Sequence, residues 1–171
     1  MREGIIALLA FVVVERVFEL VLSARNARRL KARGGVESGT GHFPLIVVVH
    51  TLFPLSLLWE VIRLGARPGP LWPLWLGLWI LAQGLRYWAI AALGDSWNVR
   101  IWVVPGAPLV CRGPYRFLRH PNYLAVVIEL IAAPLIFGAW RTAILISVLN
   151  LVALRTRIRA EEGALARSAE E

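Results

Sequence analysis

The chain has little of what marks a secreted, metal-binding or nucleic-acid-binding protein. Its single cysteine excludes an intrachain disulfide framework. Its 3 histidines are too scattered to indicate a zinc or haem site, so we expect no metal. Basic residues outnumber acidic ones by 19 to 11, but they lie between apolar runs instead of on a polar domain. We therefore expect no nucleic-acid partner.

Apolar residues dominate instead, with 58% of the chain hydrophobic and a mean hydropathy of +0.64. A helix needs about 20 residues to cross a hydrocarbon core, and three of five apolar runs meet that length. The charged residues Glu15, Arg16 and Glu19 make the first run a weaker candidate for a lipid-facing span, and the fifth run is short. An alternative for the last two is a helical hairpin turning at 138–141. The five runs are 5–22, 43–64, 70–93, 123–140 and 142–154.

We therefore predict an all-α integral membrane protein with about five transmembrane helices. Thirteen basic residues fall in the segments that follow the first, third and fifth runs. Only four fall in the segments before the first run and after the second and fourth runs, which lie on the opposite side of the membrane. Basic residues favour the cytoplasmic face, which places the N-terminus outside and the C-terminus in the cytoplasm. The first run lacks a basic leader and a cleavage site, so we expect a retained span and a multi-pass protein.

The segment 113–123 carries the densest polarity at the edge of an apolar run. It holds two arginines, a histidine, an asparagine and two tyrosines. Polar groups at a membrane boundary are costly and tend to be functional. Pro121 suits the first position of a helix, which places His120 near the N-cap, where free backbone N–H groups favour an anionic ligand. Alternating residues predict a short extended segment at 97–102.

Polar residues also lie inside the predicted spans. Such residues usually face the interior of the bundle and pair with one another, so a structural role is at least as good an explanation as function for each. The opposite charges of Glu60, Arg86 and Glu129 suggest an ion-pair network. The full set is Glu15, Arg16, Glu19, His50, Glu60, Gln83, Arg86, Glu129 and Asn150.

Two C-terminal motifs resemble one enzyme family. Leu-Val-Cys-Arg-Gly-Pro-Tyr-Arg-Phe-Leu-Arg-His-Pro-Asn-Tyr ends at Tyr123, and Arg-Ile-Arg-Ala-Glu-Glu-Gly-Ala-Leu begins at Arg157. Together they closely resemble the isoprenylcysteine carboxyl methyltransferase family, whose members are integral membrane enzymes that use S-adenosylmethionine. The match runs from about residue 94 onward.

The N-terminal half resembles a bacterial branch of that family. Members of the branch are linked to type III polyketide synthases and methylate long-chain alkylpyrones or alkylresorcinols on oxygen. This implies a bacterial inner membrane protein of a type III polyketide synthase pathway, whose partners are membrane lipid and a lipophilic substrate. The residues that carry the resemblance are 33–37, 41–44, His50, Glu60 and 85–88.

The resemblance implies a role for each matching residue. Arg157 would be the catalytic residue that faces the substrate, and a cytoplasmic cofactor pocket would bind S-adenosylmethionine. One departure is Trp102, where eukaryotic members carry a polar glutamine. The implied substrate-binding residues are Arg157, His50, Glu60 and Arg86. The implied cofactor-binding residues are Pro108, Leu109, Val110, Tyr115, His120, Pro121, Asn122, Tyr123 and Glu161.

The sequence thus predicts one membrane methyltransferase domain over 1–171, with a substrate side at 1–93 and a cofactor-binding catalytic core at 94–171. The predicted activity is S-adenosylmethionine-dependent O-methylation of a lipophilic acceptor. That acceptor is a long-chain polyketide enol or phenol, or an isoprenylcysteine-like carboxylate. One alternative is an NADPH-dependent membrane reductase of the sterol type, whose cofactor region also carries an Arg-His-x-Asn-Tyr element. A second is a membrane scaffold without enzymatic activity.

Overall fold

A computed structural model of the chain describes residues 2–39, 41 and 43–170. Within them, five α-helices make up most of the structure, which confirms the predicted helical class. The other regular elements described are two short strands and 3₁₀ turns at Gly94–Ser96 and Gly113–Arg116. His42, part of the branch motif, lies outside the described residues. The helices are α1 (Arg2–Ala32), α2 (Phe43–Arg63), α3 (Trp72–Leu93), α4 (Pro121–Ile136) and α5 (Trp140–Glu170), and the strands are β1 (Val36–Ser38) and β2 (Ile101–Val103).

Two described helices are long and apolar enough to cross a membrane: Phe43–Arg63 and Trp72–Ser96. They coincide with the second and third predicted runs. Helix α4 is apolar but only 16 residues long. It is shorter than the run that predicted it, because the chain turns before Trp140. The number of membrane-spanning helices therefore stays a prediction.

The turn between α4 and α5 confirms that the fourth and fifth runs are separate helices. Gly138 has a φ of +72°, the left-handed conformation that commonly ends a helix at glycine. Its N–H donates to the carbonyl of Leu135, and the N–H of Ala139 donates to the carbonyl of Pro134. A Cβ on Gly138 would lie 2.0 Å from the carbonyl oxygen of Arg67, so this contact excludes any larger residue.

Helix α5 is longer than the fifth run predicts. The apolar run ends at Leu154, yet the helix continues without a break through Glu170 and covers 31 residues. The residues after Leu154 are mainly arginine, alanine and glutamate, which are among the best helix formers. Their polarity ends the apolar run without ending the helix. The predicted short span and the predicted helical tail are therefore one element.

The chain forms two compact units, which interleave along the sequence. The first comprises Met1–Pro44, Leu93–Val110 and Arg155–Glu171, and the second comprises Leu45–Ala92 and Cys111–Leu154. These boundaries differ from the predicted halves at 1–93 and 94–171.

In the first unit, β1 and β2 pair antiparallel, with Val36 opposite Val103 and Ser38 opposite Ile101. The glycine-rich segment 33–41, whose composition indicates a flexible connector, therefore contributes a strand. Gly34, with φ +79°, ends α1 just before it.

The middle of helix α1 has polar residues at buried positions and apolar residues at exposed positions. Glu15 and Glu19 are only 3% and 4% exposed, whereas Val14 and Phe18 are 67% and 54% exposed. Arg16 pairs with both carboxylates, at 3.1 Å and 2.8 Å. A soluble helix has the opposite polarity. The ion pairs of Arg16 with Glu15 and Glu19 account for the three charges that weaken its apolar run.

Candidate cofactor and acceptor site

The segment 113–123 is anchored in the second unit to the C-terminal end of α3. The Nε of Arg112 donates a 2.7 Å hydrogen bond to the carbonyl oxygen of Ala92. The last carbonyls of a helix have no partner within it, so this contact caps α3. Gly113 has a φ of +59°, and a Cβ there would lie 2.8 Å from the Cβ of Ala92 and 3.2 Å from Nε1 of Trp88. Only glycine allows the backbone to pass this close.

The Arg-His-Pro-Asn-Tyr motif opens α4. Pro121 is the first helical residue and His120 is the N-cap, which confirms the predicted position of both. The rings of His120 and Tyr123 stack with centroids 5.1 Å apart and planes 10° from parallel. Tyr115 is half-buried in the turn Gly113–Arg116. The structure thus brings His120 and Tyr123 together as a flat aromatic pair beside the start of a helix.

Asn122, within this motif, has a buried acceptor atom. Its Oδ1 is shielded from solvent and receives no hydrogen bond from any described residue. Leaving a buried acceptor unpaired costs about 1–3 kcal/mol. A donor from outside the protein, such as the amino group of a bound nucleoside, would remove that cost.

The tail residues predicted for the site lie on α5 in the first unit. Arg157 is 9% exposed, and its Nη2 donates a 3.4 Å hydrogen bond to the carbonyl oxygen of Asn98. Glu161 lies one turn later on the same face and is half-buried. The indole N–H of Trp102 in this unit is buried and donates to no described acceptor. The remaining predicted cofactor residues here, exposed or half-buried, are Pro108, Leu109 and Val110.

The residues inside the spans that are predicted to bind substrate make contacts within the protein: Arg86 in an ion pair and Glu60 with backbone N–H groups. Arg86 and Glu129 form a buried ion pair between α3 and α4, as their charges predict. Glu60 is not part of this pair. Its two carboxylate oxygens accept hydrogen bonds from the backbone N–H groups of Arg141, at 3.1 Å, and Thr142, at 2.6 Å. Because these N–H groups open α5, Glu60 caps that helix, and the predicted three-residue network is wrong.

His50 contacts its own helix in the structure. Its Nδ1 lies 2.9 Å from the carbonyl oxygen of Ile46, one turn earlier in α2. The predicted contacts of His50, Glu60 and Arg86 with a substrate stay predictions.

Sequence reasoning missed a polar contact between α1 and the segment 94–100. Ser23 hydrogen-bonds Asn98, and Asn26 donates to the carbonyl oxygens of Gly94, at 3.0 Å, and Trp97, at 2.8 Å. The signal for it is periodicity, because Glu15, Glu19, Ser23 and Asn26 recur every three or four residues on one face of α1. Of these four, Ser23 and Asn26 hold the chain that leads to β2.

The fold and motifs define a helical protein of membrane type that carries a methyltransferase signature. A model of the isoprenylcysteine carboxyl methyltransferase (ICMT) family matches residues 75–167. The chain is 40% identical over 158 residues to the uncharacterized protein YpbQ of Bacillus subtilis, covering 92% of this chain and 94% of that protein. It is 27% identical over 157 residues to an uncharacterized protein of Haemophilus influenzae, covering 91% of each.

The chain belongs to the ICMT family. Membership supports a membrane methyltransferase activity. No solved structure matches the chain.

Proposed function

We propose that the protein is an S-adenosylmethionine-dependent O-methyltransferase that acts at the membrane on a lipophilic acceptor. The observation that carries the proposal is the opening of α4. There the family motif supplies the stacked rings of His120 and Tyr123 beside the unpartnered Oδ1 of Asn122. Aromatic rings offer a surface for a nucleobase, and an amide oxygen offers an acceptor for its amino group.

The residues of the family motifs carry groups of the kinds that S-adenosylmethionine would need. His120, Tyr123 and Asn122 would contact the nucleoside, with Tyr115 and Pro121 completing this part of the pocket. The carboxylate of Glu161 would accept hydrogen bonds from the cofactor. Backbone groups of Pro108, Leu109 and Val110 would supply further contacts. The bound cofactor supplies an electrophilic methyl group.

Arg157 would hold the acceptor. A carboxylic acid, or an acidic enol or phenol, ionises readily, so the protein needs to position its anionic oxygen more than to remove a proton from it. The planar guanidinium of arginine pairs well with such oxygens. The burial of Arg157 favours this role, since a charge interaction is stronger away from water.

The proposed acceptor is a long-chain alkylpyrone or alkylresorcinol, supplied by a type III polyketide synthase, or an isoprenylcysteine-like carboxylate. A long alkyl chain dissolves in the bilayer, and the apolar surfaces of the helices leave it a lateral route. About five spans, with the C-terminus and the cofactor pocket on the cytoplasmic face of a bacterial inner membrane, complete the proposal. The arginine distribution supports this orientation.

Cofactor binding by the full chain in detergent tests the proposal. Calorimetry should show binding of S-adenosylmethionine by the wild type and none by Glu161→Ala or Tyr123→Ala, although both variants still insert in membranes. Arg155→Ala, at an exposed residue of α5 just before the motif, is the matched control and should bind normally. Thermal stabilisation by NADPH instead of S-adenosylmethionine would favour a reductase, and stabilisation by neither would favour a scaffold.

A further inference from the structure

Asn98 is tied to α1 by hydrogen bonds in both directions. Ser23 Oγ donates to Asn98 Oδ1 at 2.8 Å, and Asn98 Nδ2 donates to the carbonyl oxygen of Ser23 at 2.9 Å. Asn98 Oδ1 also accepts the N–H of Arg100 at 2.9 Å, and Ser23 Oγ accepts the N–H of Val99 at 3.3 Å. These four bonds fix both the side chain of Asn98 and the backbone around it.

The backbone that they fix faces Arg157. The carbonyl oxygen of Asn98 accepts a hydrogen bond from Arg157 Nη2 at 3.4 Å. Asn98 and Arg157 belong to the same compact unit as Ser23. A guanidinium is planar, so a hydrogen bond to one of its nitrogens restricts where its other N–H groups point. This hydrogen bond therefore links the orientation of Arg157 to the Asn98 peptide, and the bonds above link that peptide to Ser23.

We propose that Ser23 and Asn98 are positioning residues that orient the guanidinium of Arg157 toward the anionic oxygen of the acceptor. The inference rests on the proposed function, in which Arg157 holds that oxygen. Neither residue needs to touch the acceptor or the cofactor. Reaction rates fall steeply when the reacting atoms are misplaced by even 1 Å or so, so the loss of this support should lower kcat.

Asn26 provides the matched control. It lies on the same face of α1, one turn after Ser23, and is fully buried. It holds the same segment through the carbonyl oxygens of Gly94 and Trp97, and not through Asn98 or Arg157. A structural role alone would make Asn26→Ala at least as harmful as Ser23→Ala. Positioning predicts a different ranking, with Asn26→Ala costing more thermal stability and Ser23→Ala more activity.

The test uses the full chain in nanodiscs, with an alkylpyrone, an alkylresorcinol and a farnesylated cysteine analogue as probe acceptors. With any probe that the wild type methylates, Ser23→Ala and Asn98→Ala should lower kcat by about tenfold to a hundredfold. Their affinity for S-adenosylmethionine should stay within about twofold of the wild type, because neither contacts the cofactor. Ser23→Thr keeps the hydroxyl group and should restore most of kcat.

A double-mutant cycle between Asn98→Ala and Arg157→Ala decides the inference. If Asn98 acts through Arg157, its loss has little further effect once Arg157 is gone. If the activity losses of Asn98→Ala and Arg157→Ala multiply in the double variant, the inference is overturned and the proposed function stays intact. The same holds if Ser23→Ala and Asn26→Ala lose activity in proportion to their loss of stability. A wild type that methylates none of the three probes would overturn the proposed function, and this inference with it.

Discussion

The carboxylate of Glu60 accepts a 2.6 Å hydrogen bond from the backbone N–H of Thr142. Its other oxygen accepts the N–H of Arg141. Both oxygens of a buried acid are thus used to satisfy the first N–H groups of α5, which have no partner within the helix. The negative charge also interacts favourably with the positive end of the helix dipole. Glu60 therefore has a structural role that its charge alone does not reveal.

Replacing Glu60 should weaken the fold more than cofactor binding. Glu60→Ala removes two charge-assisted hydrogen bonds and leaves buried N–H groups unpaired, at a cost of about 2–4 kcal/mol. Glu60→Gln keeps one acceptor and should lose about half as much. Thermal unfolding in detergent gives the ranking. Equal stability of Glu60→Ala and wild type would contradict the cap.

The ion pair between Arg86 and Glu129 predicts strong coupling. Removing either partner takes the opposite charge away from a buried one, so Arg86→Met and Glu129→Leu should each cost about 3–5 kcal/mol. The double variant should recover most of that loss, because two apolar side chains need no partner. Denaturation of all four proteins in one detergent measures the coupling free energy. Additive losses would show that the pair is not an energetic unit.

The sequence predicts helices here better than contacts. The runs at 43–64 and 70–93 give α2 and α3 because length and apolar composition are local properties. Proline likewise identifies the start of α4 at Pro121. The bond from Glu60 to Thr142 joins residues 82 apart, and no local pattern indicates it. Charge complementarity suggests Arg86 as a partner for Glu60 instead, because pairing by charge ignores backbone donors.

Gly113 should tolerate no side chain. Gly113→Ala must hold a left-handed conformation, which costs about 1–2 kcal/mol, and its Cβ would also contact Ala92 at 2.8 Å. We expect lower stability and weaker binding of S-adenosylmethionine, because the cofactor motif follows directly. Adding Ala92→Gly removes the steric contact but not the backbone strain, and should recover part of the loss. No recovery would mean that the contact with α3 is unimportant.

Asn122 should matter for cofactor affinity and little for folding. Asn122→Leu removes the unpartnered buried oxygen, so the free energy of unfolding without ligand should stay equal or rise. Affinity for S-adenosylmethionine should fall by about tenfold, the value of one lost hydrogen bond. Calorimetry and thermal unfolding of the same preparation separate the two effects. A stability loss with unchanged affinity would assign Asn122 to the fold.

The sequence predicts only part of the candidate site, because contacts between residues far apart in the chain leave no local pattern. The motif residues that predict cofactor binding are contiguous, and His120 and Tyr123 lie together as expected. Ser23 and Asn98 are 75 residues apart, and neither belongs to a motif. The pairing of β1 with β2 is also missed, because three-residue strands carry almost no periodicity. Supporting contacts of this kind become visible only in the folded chain.

Transfer of a labelled methyl group tests the central claim most directly. The full chain in nanodiscs is incubated with S-adenosylmethionine carrying a deuterated methyl group and with an alkylpyrone, an alkylresorcinol or a farnesylated cysteine analogue. Mass spectrometry of the organic extract should show one acceptor carrying the labelled methyl on oxygen, and Arg157→Ala should give far less of this product, though still enough to measure. If the wild-type protein binds the cofactor but none of the acceptors in the extract carries the label, O-methylation of these acceptors is contradicted.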